Sequence, residues 1–92
     1  MKTKDIKNEL VKKIVKTALQ NKFAVTVANV KNAENGTTYF RIRKGSMLGW
    51  DIMAALAKYM GTNSKDLMGD TIDSSNPSFL IFNDSVIISD PA

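Results

Sequence analysis

Thr37-Thr38-Tyr39-Phe40-Arg41-Ile42-Arg43-Lys44 alternates its side chains at the two-residue period of a strand, with Phe40 and Ile42 on one face and Tyr39, Arg41 and Arg43 on the other. The stretch before it, Phe23-Ala-Val-Thr-Val-Ala-Asn-Val30, is rich in β-branched residues, and residues 31–36 between the two are turn formers. A β-hairpin follows. A tight two-residue turn at Asn35-Gly36 pairs Asn29 with Ile42 and Val30 with Arg41. That register gathers Val25, Val27, Phe40 and Ile42 on a core face and sets Tyr39, Arg41 and Arg43 above small partners such as Ala28. A slip of one residue would turn two arginines into the core, so the alternation itself defends the faces.

Working outward toward the amino terminus, Ile6, Leu10, Val11, Ile14, Val15 and Ala18 recur at three- and four-residue spacing. They predict an amphipathic helix from an N-cap at Thr3 to about Asn21. Lys12, Lys13 and Lys16 lie opposite the apolar stripe together with Asp5 and Glu9, as on an ordinary solvated helix face. Toward the carboxyl terminus, Gly45-Ser46 opens a second helix over residues 47–60, closed by Gly61 at C′. Asp51 and Lys58 are its only charges, and a helix apolar nearly all round is expected to be buried on several sides. One helical turn at Ser64-Lys-Asp-Leu-Met68 and a second hairpin, Ser78–Phe82 and Ser85–Ser89 around Asn83-Asp84, complete the chain. The expected fold class is α+β: one two-layer domain over residues 1–92, order α-β-β-α-β-β, with a mostly antiparallel four-stranded sheet and two helices on one face.

Charge divides the chain near Lys44. Residues 1–44 hold eleven Lys and Arg against three acids, a surplus of eight, whereas residues 45–92 hold two lysines against six aspartates. So uneven a field favours an anionic partner. With 43% apolar residues in a chain of 92, a self-sufficient globular domain is expected. No cysteine is present, which excludes disulfides and thiolate sites and fits a reducing, cytoplasmic setting; the early lysines and the short apolar runs give no sign of a secretory leader or a membrane span.

The chain has neither histidine nor cysteine, so the commonest general base, metal ligand and strong nucleophile are all absent and no enzymatic activity is expected. Asp66, Asp70 and Asp73 have a spacing that could converge on a hard cation, but Gly69 interrupts them and aspartate is equally a turn and cap residue. Neither a metal nor a cofactor is expected. Lys44-Gly45-Ser46 at the start of the second helix is a candidate phosphate contact. Tyr39, Arg41, Arg43, Lys44 and Ser46, with Lys12 and Lys16 on the first helix, form a candidate nucleic-acid surface, combining an aromatic for stacking with cations for phosphates. Trp50, Met53, Met60, Leu80 and Ile87 form a candidate protein interface.

Two functions follow from these sets. The favoured one is a small non-enzymatic binding protein whose basic N-terminal half contacts DNA or RNA. The alternative is an inhibitor or adaptor, of the kind found among phage and mobile-element accessory proteins, acting through the second helix and second hairpin. An obligate homodimer is a third expectation. Neither a membrane partner nor a small-molecule substrate is indicated.

Overall fold

The computed structural model describes residues 3–69 and 78–91. A 3-10 turn (Thr3–Asp5) leads into α1 (Glu9–Gln20), followed by β1 (Ala24–Ala28), β2 (Thr38–Arg43), α2 (Gly49–Tyr59), α3 (Ser64–Met68), β3 (Phe79–Ile81) and β4 (Val86–Asp90). The strands form one antiparallel sheet in the order β1-β2-β4-β3. Val11, Ile14, Val15 and Ala18 of α1 and Ile52, Met53, Leu56 and Ala57 of α2 meet Phe40, Ile42, Val86 and Ile88 in a single core. Both long helices therefore cover the same sheet face, as the sequence predicts.

The first helix begins later than its apolar period suggests. Asn8, not Thr3, is the N-cap, and its Oδ1 accepts from the backbone N–H of Leu10 at 2.9 Å and of Val11 at 3.1 Å. The buried carboxylate of Asp90 takes the two preceding donors, Oδ2 from Lys7 N–H at 2.9 Å and Oδ1 from Asn8 N–H at 2.8 Å. These bonds tie the start of α1 to the end of β4 across 82 residues of sequence. Because the chain leaves α1 at Asn21 and enters β1 at Ala24, the opposite end of the sheet from Asp90, α1 crosses the sheet obliquely.

The first hairpin keeps its predicted faces but not its predicted register. Val25 pairs with Ile42 and Val27 with Phe40, four residues from the expected pairing. An even shift preserves which side chains face the core. Asn35-Gly36 does make a turn, with Thr37 N–H bonded to Glu34 O and Gly36 at φ +81, yet it lies inside a longer loop that turns once more at Val30–Ala33 through Asn32 at φ +62. The second hairpin is the tight one. Phe79 pairs with Ile88 and Ile81 with Val86, and Phe82 N–H donates to Ser85 O around Asn83-Asp84.

The second helix also differs at its start. Gly45-Ser46 form a turn closed by Met47 N–H on Lys44 O, so Ser46 caps no helix; α2 starts two residues after Met47, at Gly49, with Leu48 at the N-cap and no side-chain cap. The reason is contact with the second hairpin: Gly49 N–H donates to Asn83 O at 3.2 Å, and a Cβ on Gly49 would strike the Phe82 carbonyl and lie 2.7 Å from Ser85 O. At its other end Gly61 occupies C′ as predicted, with Thr62 N–H on Ala57 O and Gly61 N–H on Lys58 O. The helix is not buried on several sides. One stripe is buried, while Trp50 is 62% exposed and Tyr59 is exposed as well.

Candidate interaction surface

Arg41 and Arg43 lie where the alternation puts them, on the sheet face away from the helices, whereas Lys44, just past the strand, turns to the helix side; each is engaged with its own chain. Arg41 Nη1 donates to the Ser85 Oγ at 2.8 Å, and its guanidinium lies 5.7 Å from the centroid of Phe82. Arg43 Nη2 lies 3.7 Å from Asp84 Oδ2 in an open ion pair. Lys44 Nζ donates to Asn21 O at 2.6 Å, at the carboxyl end of α1, where a cation also suits the helix dipole, and sits 4.9 Å over the ring of Phe23. Tyr39 Oη accepts a long 3.4 Å bond from Glu34 N–H. Ser46 is exposed in its turn and makes no helix terminus, so the expected phosphate contact at Lys44-Gly45-Ser46 lacks the helix N-terminus it requires.

Lys12 and Lys16 do not join this set. They project from α1 on the far side of the helix layer, so the whole thickness of the domain separates them from Tyr39, Arg41 and Arg43. Lys12 Nζ is 4.0 Å from Glu9 Oε1, while no ion pair reaches Lys13 or Lys16 among the described residues. The predicted nucleic-acid residues thus do not form one surface: Tyr39, Arg41 and Arg43 lie on the outward sheet face, Lys12 and Lys16 on the far side of α1, and Lys44 at the carboxyl end of α1. The stacking group and the most open cations are apart.

The predicted protein-interface residues divide as well. Met53 is fully buried in the core; Ile87, on the outward sheet face between Arg41 and Leu80 in the register, is buried too; Met60 packs partly against the core. Those three positions are structural because α2 turns Met53 and Met60 toward the sheet and β4 is an interior strand. Trp50 and Leu80 remain exposed. The Gly49–Asn83 hydrogen bond adds company that sequence spacing does not reveal, because it brings Leu48 and Trp50, which flank Gly49, to the turn that Phe82 enters. Leu48 is 57% and Phe82 46% exposed. Charges of both signs lie nearby: Asp51 follows Trp50 in the chain, Arg41 lies over the Phe82 ring and Arg43 pairs with Asp84. No local sequence signal marks this close approach, because Gly49 and Asn83 are far apart in the chain.

Asp66 does what turn chemistry predicts: its N–H donates to Asn63 Oδ1 and its Oδ2 accepts from Asn63 Nδ2, both at 2.9 Å, at the start of α3. Asp70 and Asp73 lie outside the described residues. Among the described residues no three potential metal-ligating side chains gather, and no helix is long and apolar enough to cross a membrane. Compared with protein-family models, curated proteins and solved structures, the chain finds a match in none of the three.

Proposed function

We propose that this chain is a non-enzymatic module that binds another protein, as an inhibitor or adaptor does, through Leu48, Trp50 and Phe82 with Leu80, Arg41 and Arg43 at the margin. The observation that carries the reading is the exposure of a tryptophan, a leucine and a phenylalanine on residues that flank or lead into one backbone hydrogen bond, Gly49 N–H to Asn83 O. Aromatic side chains and arginine dominate protein-binding hot spots, and charge is depleted at their centres. A nucleic-acid surface needs the reverse, open cations beside its stacking groups, whereas Arg41 and Arg43 already hold Ser85 and Asp84.

Nucleic-acid binding is the second reading, carried by the open Lys13 and Lys16 on α1 and by the surplus of eight positive charges in residues 1–44. One capture experiment separates the two. Immobilised wild type, a Leu48→Ser/Trp50→Ser variant and a Lys13→Glu/Lys16→Glu variant are exposed to lysate of the native host, untreated and nuclease-treated in parallel. A protein retained by wild type and the lysine variant but lost by the Leu48/Trp50 variant supports protein binding. Retention that needs the lysines and disappears with nuclease supports the second reading.

A further inference from the structure

Strand β1 is an edge of the sheet, and its five residues carry none of the usual protections: no charge, no proline and no bulge. Among the described residues no strand or main-chain hydrogen bond covers its outer side, and which residues point there can be read from the other edge. Ser89 N–H donates to Ser78 O and Phe82 N–H to Ser85 O, so Ser85, Ile87 and Ser89 face β3 while Val86, Ile88 and Asp90 bond to β2. Carried through the unbroken registers, Ala24, Thr26 and Ala28 bond to β2, and Val25 and Val27 aim their main-chain groups outward.

We infer that β1 pairs antiparallel with β1 of a second copy of this chain, about a two-fold axis at Thr26, to make one eight-stranded sheet. Ala24-Val25-Thr26-Val27-Ala28 reads the same in both directions. Pairing about its centre sets Val25 against the second copy's Val27, the very residues with outward main-chain groups, and gives four main-chain hydrogen bonds. It also gives Val27 a neighbour. Val27 is on the core face yet 64% exposed, because the oblique course of α1 leaves that corner of the sheet uncovered. In the pair it lies beside the second copy's half-buried Val25, so the two cores become continuous across the edge. A five-residue strand makes a contact at the small end of protein interfaces, so the association is concentration-dependent.

The chain has no cysteine, so a single introduced thiol reports the geometry cleanly. In a pair centred on Thr26, Thr26 faces its own mate in a non-hydrogen-bonded position with Cα atoms about 4.5 Å apart, within the range a disulfide spans. Ala24 is separated from its mate by four residues of strand, about 13 Å. Thr26→Cys is expected to form a disulfide-linked dimer on mild oxidation about tenfold or more faster than Ala24→Cys, as for thiols held at high effective concentration. In sedimentation, the wild-type mass is expected to rise from 10.1 kDa toward twice that value with concentration. Val27→Lys, tolerated because the side chain is exposed, and Val27→Pro, tolerated because the N–H it removes has no partner within the chain's own sheet, are expected to remain monomeric with unchanged circular dichroism, and Trp50→Ser to dimerise as wild type does. A wild type that stays monomeric to about 1 mM, a level at which even millimolar affinity shows, overturns the inference. So does equal cross-linking at Ala24 and Thr26, or a dimer that survives both Val27 substitutions.

Discussion

Asp90 places its carboxylate at the far end of the sequence, where each oxygen accepts one backbone N–H just ahead of α1. At 4% exposure, no water replaces the carboxylate cheaply if it is removed. Asp90→Ala is therefore expected to cost about 2 kcal/mol, a fall of roughly 8–16 °C in thermal midpoint for a domain of this size, with Asp90→Asn in between. Gly49 gives a prediction of opposite sign to helix propensity. Glycine to alanine in a helix ordinarily gains up to about 1 kcal/mol, but here the new Cβ meets the carbonyls of Phe82 and Ser85 and lies 2.9 Å from Ile81 Cγ2. Backbone carbonyls of a tight hairpin cannot step aside as a flexible side chain could, so Gly49→Ala should lose roughly 1–3 kcal/mol in urea titration. Neither residue announced itself in the sequence. Asp90 reads as one more surface acid and Gly49 as a weak helix former, because each derives its role from a partner more than thirty residues away.

The elements show which sequence signals are decisive and which compete. Strand alternation identified the faces of β1 and β2, since a face is fixed by parity and survives any even shift of register. The register itself depended on which of two turns closes the hairpin, and Asn32 at positive φ makes the loop longer than Asn35-Gly36 alone requires. The first helix likewise starts at a cap, Asn8, other than the Thr3 that its apolar period suggests. Asn8 prevails because its Oδ1 reaches two N–H groups and Asp90 holds the donors in front of it, the second of these being a tertiary contact. Alternation also ranks Val25 and Val27 as equals, two residues apart on one face. The oblique α1 separates them, leaving Val25 half-buried and Val27 open. Val25→Lys should therefore destabilise the fold by about 2 kcal/mol or more, whereas Val27→Lys should lie within about 0.5 kcal/mol of wild type in the same denaturation.

Across the whole molecule, folding partly erases the charge division that dominates the sequence. Asp84 of the acidic half comes to Arg43 of the basic half, and Asp90 is drawn to the start of α1. What remains open is the lysine face of α1, on one side of the domain, and the apolar end built from Leu48, Trp50 and Phe82 at the junction of α2 with the second hairpin. The sequence supplied Trp50 and Leu80 but not their neighbours, because a surface patch is assembled by tertiary contact and has no period of its own. The division of surfaces yields a whole-molecule prediction: a charge-reversing Lys13→Glu/Lys16→Glu variant should leave partner affinity within about twofold, while Trp50→Ala should weaken it by about 2 kcal/mol or more, roughly thirtyfold, in calorimetric titration. Trp50 is also the only tryptophan in the chain and is largely solvent-exposed in the free protein, so its fluorescence reports directly on the proposed contact. Titrating the chain with its captured partner at 295 nm excitation, which selects tryptophan, should shift the emission to shorter wavelength and protect it from acrylamide, as water leaves the indole. Saturated binding with emission and quenching unchanged would contradict the account, since the partner would then be held by some other surface.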